Sequence, residues 1–234
     1  MKIAGLASNR GRNLRHIADV APGGAELSVV LTNREQAPVL EAATERRIPT
    51  EVVEREGDES RASHERRILD RLASYDFDLV CLDGYMRVLT QEFLDSAPTT
   101  LNVHPSLLPA FPGMGAHQQV LDAGVRTTGC TVHVVTEEID GGPIVTQEPV
   151  PVYGDDDADA LKTRVLHDAE FTAYPRAVRW FAEGRVTVER EAGEAVGVTV
   201  EGDAGGDFPE RRFVSEERAE TLRYGENPHQ DAAL

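Results

Sequence analysis

The tetrapeptide Leu79-Val80-Cys81-Leu82 is apolar at every position. A strand with one wet face alternates apolar and polar residues. A strand without that alternation is covered on both faces, as in the middle of a parallel sheet. This segment alone points to a fold in which helices flank both sides of a sheet. The sequence around it supplies the helices. Lys2 to Ala7 reads as a first strand and ends in a polar loop, Ser8-Asn9-Arg10-Gly11-Arg12-Asn13, after which Leu14, Ile17 and Val20 recur at helical spacing. Leu27 to Leu31 reads as a second strand, and residues 38–46 as a helix with Pro38 in its first turn, where a missing N–H costs little. Residues 49–53 suggest a third strand, residues 60–73 a helix with Ile68, Leu69 and Leu72 on one side, and Thr99 to Val103 another buried strand. Repeated strand–helix alternation predicts an α/β domain with a doubly wound, mostly parallel sheet.

After Thr127 the pattern changes. Thr128 to Val135 and Pro143 to Val150 read as two further strands, joined by Glu137-Glu138-Ile139-Asp140-Gly141-Gly142. Residues 156–181 form a long helical stretch that should bend or break around Pro175. Val186 to Glu189 and Val196 to Val200 suggest a hairpin around Ala192-Gly193-Glu194. The expected organisation is one domain over residues 1–190 and an acidic extension over 191–234, rich in Gly, Asp and Glu from Glu201 and reading as a linker.

Charge narrows the function classes. The net charge is -17, and lysine occurs only at Lys2 and Lys162, the other basic residues being arginine. Such a surface suits a cytoplasm of concentrated salt, where self-repulsion is screened. It offers no basic face to nucleic acid. No apolar run reaches the roughly 18 residues of a membrane span, and the N-terminus lacks a secretory signal, so a cytoplasmic location is expected. Cys81 and Cys130 lie in apolar strand-like runs without a CxxC spacing, which fits buried thiols better than a disulfide or zinc.

In open α/β sheets ligands bind beyond the carboxyl ends of the strands. The candidate ends are Ser8-Asn9, the run from Asp83 to Arg87, and His104-Pro105-Ser106. The loop from Arg10 to Asn13 opens a helix, whose first N–H groups suit an anion, and Gly11 permits close approach. It lacks the G-x-G-x-x-G spacing, which argues against a nicotinamide oxidoreductase. Asn102 and His104, two residues apart on a strand, point to one face. A carboxamide there can donate to a developing oxyanion, and an imidazole can carry a proton near neutral pH. Asp140, before two glycines, reads as a turn residue or as the carboxylate that orients His104.

The run Asn102-Val103-His104-Pro105-Ser106-Leu107-Leu108-Pro109, the later Asp140-Gly141-Gly142-Pro143 and the segment Gly84-Tyr85-Met86-Arg87-Val88-Leu89 together resemble the folate-dependent formyltransferases, most closely the branch that acts on glycinamide ribonucleotide. The similarity runs from Lys2 to about Val188. It implies Asn102, His104 and Asp140 as catalytic residues. It implies 10-formyltetrahydrofolate as donor, held by Tyr85, Met86, Arg87, Val88, Leu89 and Ile139, with no metal. It implies glycinamide ribonucleotide as acceptor, held by Arg10, Gly11, Arg12, Asn13, Pro105 and Glu170. The family's first loop reads Ser-Gly-x-Gly-Ser-Asn; here Asn9 and Arg12 replace the second and fifth residues, while Gly11 and Asn13 keep their places. Residues 222–230, Leu-Arg-Tyr-Gly-Glu-Asn-Pro-His-Gln, resemble the opening of an AICAR transformylase domain and suggest a fusion relic or the start of a second domain. Competing readings are a non-catalytic nucleotide- or folate-binding module and a formyltetrahydrofolate deformylase. The deformylases carry an extra N-terminal domain, for which there is no room before Ile3. A methionyl-tRNA formyltransferase would carry an RNA-binding C-terminus, unlike this acidic one.

Overall fold

A computed structural model describes residues 1–202. Seven strands form the main sheet: β1 (Lys2–Leu6), β2 (Glu26–Thr32), β3 (Thr50–Val52), β4 (Leu79–Leu82), β5 (Thr100–His104), β6 (Thr127–Val134) and β7 (Ile144–Pro151). Their spatial order is β3-β2-β1-β4-β5-β6-β7. The first five pair in parallel, whereas β6 runs antiparallel to β5 and β7 antiparallel to β6. The chain winds outward from β1 to β3, then returns to lay β4 on the other side of β1. That reversal opens a crevice beyond the carboxyl ends of β1 and β4, where such sheets take their ligands.

Both faces of the sheet are covered. On one face α1 (Arg12–Val20), α2 (Val39–Glu45), α5 (Ala116–Ala123), α6 (Ala158–Arg164) and α7 (Phe171–Ala182) contribute to a core with Ile3, Val30, Leu101 and Val132. On the other, α3 (Arg61–Leu72) and α4 (Gln91–Ser96) pack Ile68, Leu72 and Phe93 against Ala4, Leu6 and Val80. All four residues of β4 are buried, as their unbroken apolar character demands. Both cysteines are buried and free.

Two expectations need correction. Val20 is 47% exposed, because α1 ends there and the chain turns away through Ala21 in the left-handed region. The long C-terminal helix is not broken at Pro175. Its irregularity is a π-helical stretch at Val165–Glu170, and Pro175 lies inside the continuous α7. Proline there cannot donate to the carbonyl of Phe171, one turn back. His16 takes that carbonyl instead, with Nε2 at 3.1 Å, and stacks on the Phe171 ring at 4.3 Å between centroids. The freed acceptor is thus satisfied from α1.

The hairpin forms from β8 (Val186–Glu191) and β9 (Glu194–Val200), so the expected domain boundary at 190 falls within β8. The motif at 222–230 lies outside the described residues.

Candidate active site

The chemistry converges at the ends of β5 and β6. In the antiparallel register Asn102 is opposite His133, and His104 is opposite Thr131. Directly opposed residues project to the same face, so one patch carries a carboxamide, two imidazoles and a hydroxyl. Asp140 reaches it from the β6–β7 connection. Its Oδ2 lies 3.1 Å from His104 Nδ1, and its Oδ1 lies 3.7 Å from His133 Nε2. The Asn102 amide nitrogen is 3.2 Å from His133 Nε2. His133 Nδ1 is 3.1 Å from the carbonyl of Val134, which fixes the ring so that Nε2 faces both the Asn102 amide and Asp140. The amide of Asn102 retains a second N–H, oriented by the first.

The turn that carries Asp140 is built for close approach. Asp140 adopts φ 55°, a left-handed conformation that Asp tolerates better than most residues. A Cβ at Gly142 would sit 1.8 Å from the carbonyl oxygen of Val134, so only glycine lets this connection pass the end of β6. The glycine at 142 therefore follows from the backbone path. The carboxylate also accepts the Gly113 N–H at 2.7 Å. Burial pushes Asp140 up, but His133, the Gly113 N–H and the His104 imidazole outweigh it and hold the carboxyl below its ordinary range.

Both nitrogens of His104 face acceptors: Nδ1 faces Asp140 and Nε2 lies 2.8 Å from the carbonyl of Phe111. The loop after β5 is fixed by polar side chains from the sheet. Thr131 Oγ1 donates to the Ser106 carbonyl at 2.7 Å and accepts the Leu108 N–H at 2.9 Å. Gln147 Nε2 donates to the Leu108 carbonyl at 2.8 Å. Pro105 is half-buried at the head of this loop.

The second group of expected residues lines the crevice. Gly11 starts α1 with φ 55°, and a Cβ there would meet Val39 Cγ2 at 2.3 Å, so glycine is required twice over. Among the described residues the backbone N–H groups of Arg10, Gly11 and Arg12 meet no protein acceptor. The next two N–H groups are taken, as Asp83 Oδ2 accepts from Asn13 at 2.7 Å and from Leu14 at 3.2 Å. The Asn13 side chain donates to Glu170 Oε2 at 2.6 Å, which puts Glu170 on the α1 side of the crevice. Burial raises the Glu170 carboxyl to about 7, against the lowering effect of Asn13.

The folate-associated segment divides in two. Met86 and Val88 in the loop after β4, and Ile139 next to Asp140, are exposed apolar side chains, the kind of surface a planar aromatic ring can cover. Tyr85 and Leu89 instead are buried in the core with Ile68 and Phe93 and present little surface to a ligand in this conformation. Arg87 is partly buried. Sequence reasoning missed His133. Its cross-strand pairing with Asn102 is the signal, and that pairing requires knowing that β6 runs antiparallel. Among the described residues no group of three or more His, Cys, Asp or Glu side chains is arranged to hold a metal ion. No described helix is long and apolar enough to cross a membrane.

A doubly wound sheet with an oriented carboxamide, imidazole and carboxylate at its strand ends defines an α/β enzyme of group transfer. The chain belongs to the formyl transferase family, whose model matches residues 1–178. It is 38% identical to the phosphoribosylglycinamide formyltransferase of Haemophilus influenzae over 192 residues, covering 80% of this chain and 90% of that protein. With the Escherichia coli enzyme of the same name it shares 36% over 196 residues, covering 82% and 92%. It is 40% identical to the Bos taurus trifunctional purine biosynthetic protein adenosine-3 over 189 residues, covering 79% of this chain and 19% of that longer protein. Its backbone matches the glycinamide ribonucleotide transformylase 1 of Symbiobacterium toebii with a TM-score of 0.79, at 39% identity, covering 86% of this chain and 93% of that one.

Proposed function

We propose that the chain transfers the formyl group of 10-formyltetrahydrofolate to the amine of glycinamide ribonucleotide. The observation that carries this reading is the contact between His104 and Asp140 beside Asn102, at the carboxyl end of β5. The substrates come from the names and family of its relatives. The residues present fit them: exposed Met86, Val88 and Ile139 suit the flat folate ring, and the N–H groups of Arg10, Gly11 and Arg12 suit a phosphate.

In this reading the amine attacks the formyl carbon and a C–N bond forms. Negative charge gathers on the formyl oxygen, where the second N–H of Asn102 and a proton of His104 stabilise it. Asp140 orients His104. The old C–N bond then breaks, and the proton lost by the amine passes to the leaving folate nitrogen by way of the Asp140 side. His104 is held by the Phe111 carbonyl in the described conformation, so that hydrogen bond is exchanged for one to substrate during the reaction. His133 holds the Asn102 amide in place and acts as a positioning residue.

The test is a formyl-transfer assay in concentrated potassium chloride, with formation of tetrahydrofolate and of formylated acceptor both measured. The parent protein forms both in equal amounts, and folded His104→Ala loses turnover by about 10²–10³. Tetrahydrofolate without formylated acceptor would identify a deformylase, and neither product a binding module.

A further inference from the structure

The catalytic scheme leaves Asp83 unused, a half-buried acid. Asp83 follows β4 at the crevice where the sheet reverses direction, and its carboxylate spans the start of α1. Oδ2 accepts the backbone N–H groups of Asn13 and Leu14 at 2.7 and 3.2 Å, and Oδ1 accepts from the Asn13 side chain at 3.3 Å. These backbone donors are among the unsatisfied groups that a helix start offers to a bound anion. The protein has filled that part of its own cradle with a carboxylate. A second acid bears on the same amide, since the Asn13 side chain also donates to Glu170 at 2.6 Å. Asn13 Oδ1 is buried there without a hydrogen-bond partner. The arginine of the turn, Arg12, is close enough to act electrostatically on both carboxyls.

We propose that Asp83 is a specificity-determining residue for the acceptor, a built-in anion that competes with the acceptor's phosphate at the start of α1. This rests on the acceptor assigned above. The phosphate is confined to the N–H groups of Arg10, Gly11 and Arg12 at the entry to α1, just short of the Asn13 and Leu14 N–H groups that Asp83 occupies. Like charge from Asp83 weakens its binding there, and Arg12 offsets part of that repulsion. Two arginines in the turn are the counterpart of a carboxylate inside it. A residue that merely caps α1 makes a different forecast: its removal loosens the turn and weakens ligand binding.

Asp83→Asn and Asp83→Ala separate the two roles. Circular dichroism identifies which variants fold, and Asp83→Asn, which keeps an acceptor oxygen and the side-chain volume, decides the matter where the alanine variant does not. Initial rates are measured against acceptor and donor separately, and calorimetric titration uses ribose 5-phosphate as the probe. The acceptor KM and the ribose 5-phosphate Kd should both fall by about 2- to 30-fold, with the donor KM unmoved. Unchanged or weakened ribose 5-phosphate binding in folded Asp83→Asn overturns the proposal and leaves Asp83 as a cap. A parent protein without formyl transfer sinks the acceptor assignment instead, and the ribose 5-phosphate titration still reports on Asp83.

Discussion

Replacing Glu170 with glutamine should flatten a pH dependence of stability that the parent protein carries. Burial raises the Glu170 carboxyl from its ordinary 4.5 to about 7. Between those values the folded protein holds a proton that the unfolded chain has released. Stability therefore falls as pH rises across this window: the contribution is fully present below 4.5 and gone above about 7. At about 1.36 kcal/mol for each pH unit, the interval amounts to at most about 3 kcal/mol. Glutamine keeps an oxygen for the Asn13 side chain, which lies 2.6 Å from Glu170 Oε2, but cannot titrate. Urea unfolding of both proteins at pH 5, 6, 7 and 8, in constant high salt, gives the difference in stability at each pH. The variant should gain on the parent steadily from pH 5 to 7, then hold that gain. A difference that stays flat across the series, or that shrinks with rising pH, would refute the assignment of a raised carboxyl at this position.

Other outcomes test the site and its scaffold. Asp140→Asn should lower kcat by about 10²–10⁴ while the fold persists; near-parental turnover in the formyl-transfer assay removes Asp140 from the mechanism. Gly11→Ala drives a Cβ to 2.3 Å from Val39 in a left-handed turn, and the acceptor KM should rise at least tenfold while the donor KM holds; equal effects on both would place the turn away from the acceptor. Arg176 is 5% exposed and binds Glu148 at 2.8 Å together with Thr146, so Arg176→Ala strands a buried carboxylate and should cost about 3–5 kcal/mol in denaturant unfolding; a loss below about 1 kcal/mol would mean water replaces the guanidinium.

The strands were the most readable part of the sequence, because burial on both faces writes itself as unbroken apolar runs such as Leu79 to Leu82. Two helices were not readable. α4 and α5 have six and eight residues, too short for helical periodicity to emerge, and α5 begins after Gly113 and Gly115 in what looks like a loop. Asn102 and His104 were legible because two residues on one strand share a face. His133 was not, since it sits 31 residues from its amide partner and only the antiparallel register joins them. Asp83 was legible only as the start of a candidate strand end, without a role of its own; its partners lie about 70 positions earlier. Pro175 misled because a proline in a helix signals a break, and the signal cannot report that His16 takes up the abandoned carbonyl.

Tyr174 is fully buried, and its hydroxyl lies 3.0 Å from the carbonyl of Leu82 and 3.1 Å from that of Leu101. One phenol thus pegs together the last residue of β4 and a residue of β5, the strand whose end presents Asn102 and His104. Anyone trimming this chain for fusion or crystallisation must keep α7. A fragment stopped short of residue 174 would remove that peg, and the gap would open under the catalytic floor rather than at a dispensable edge.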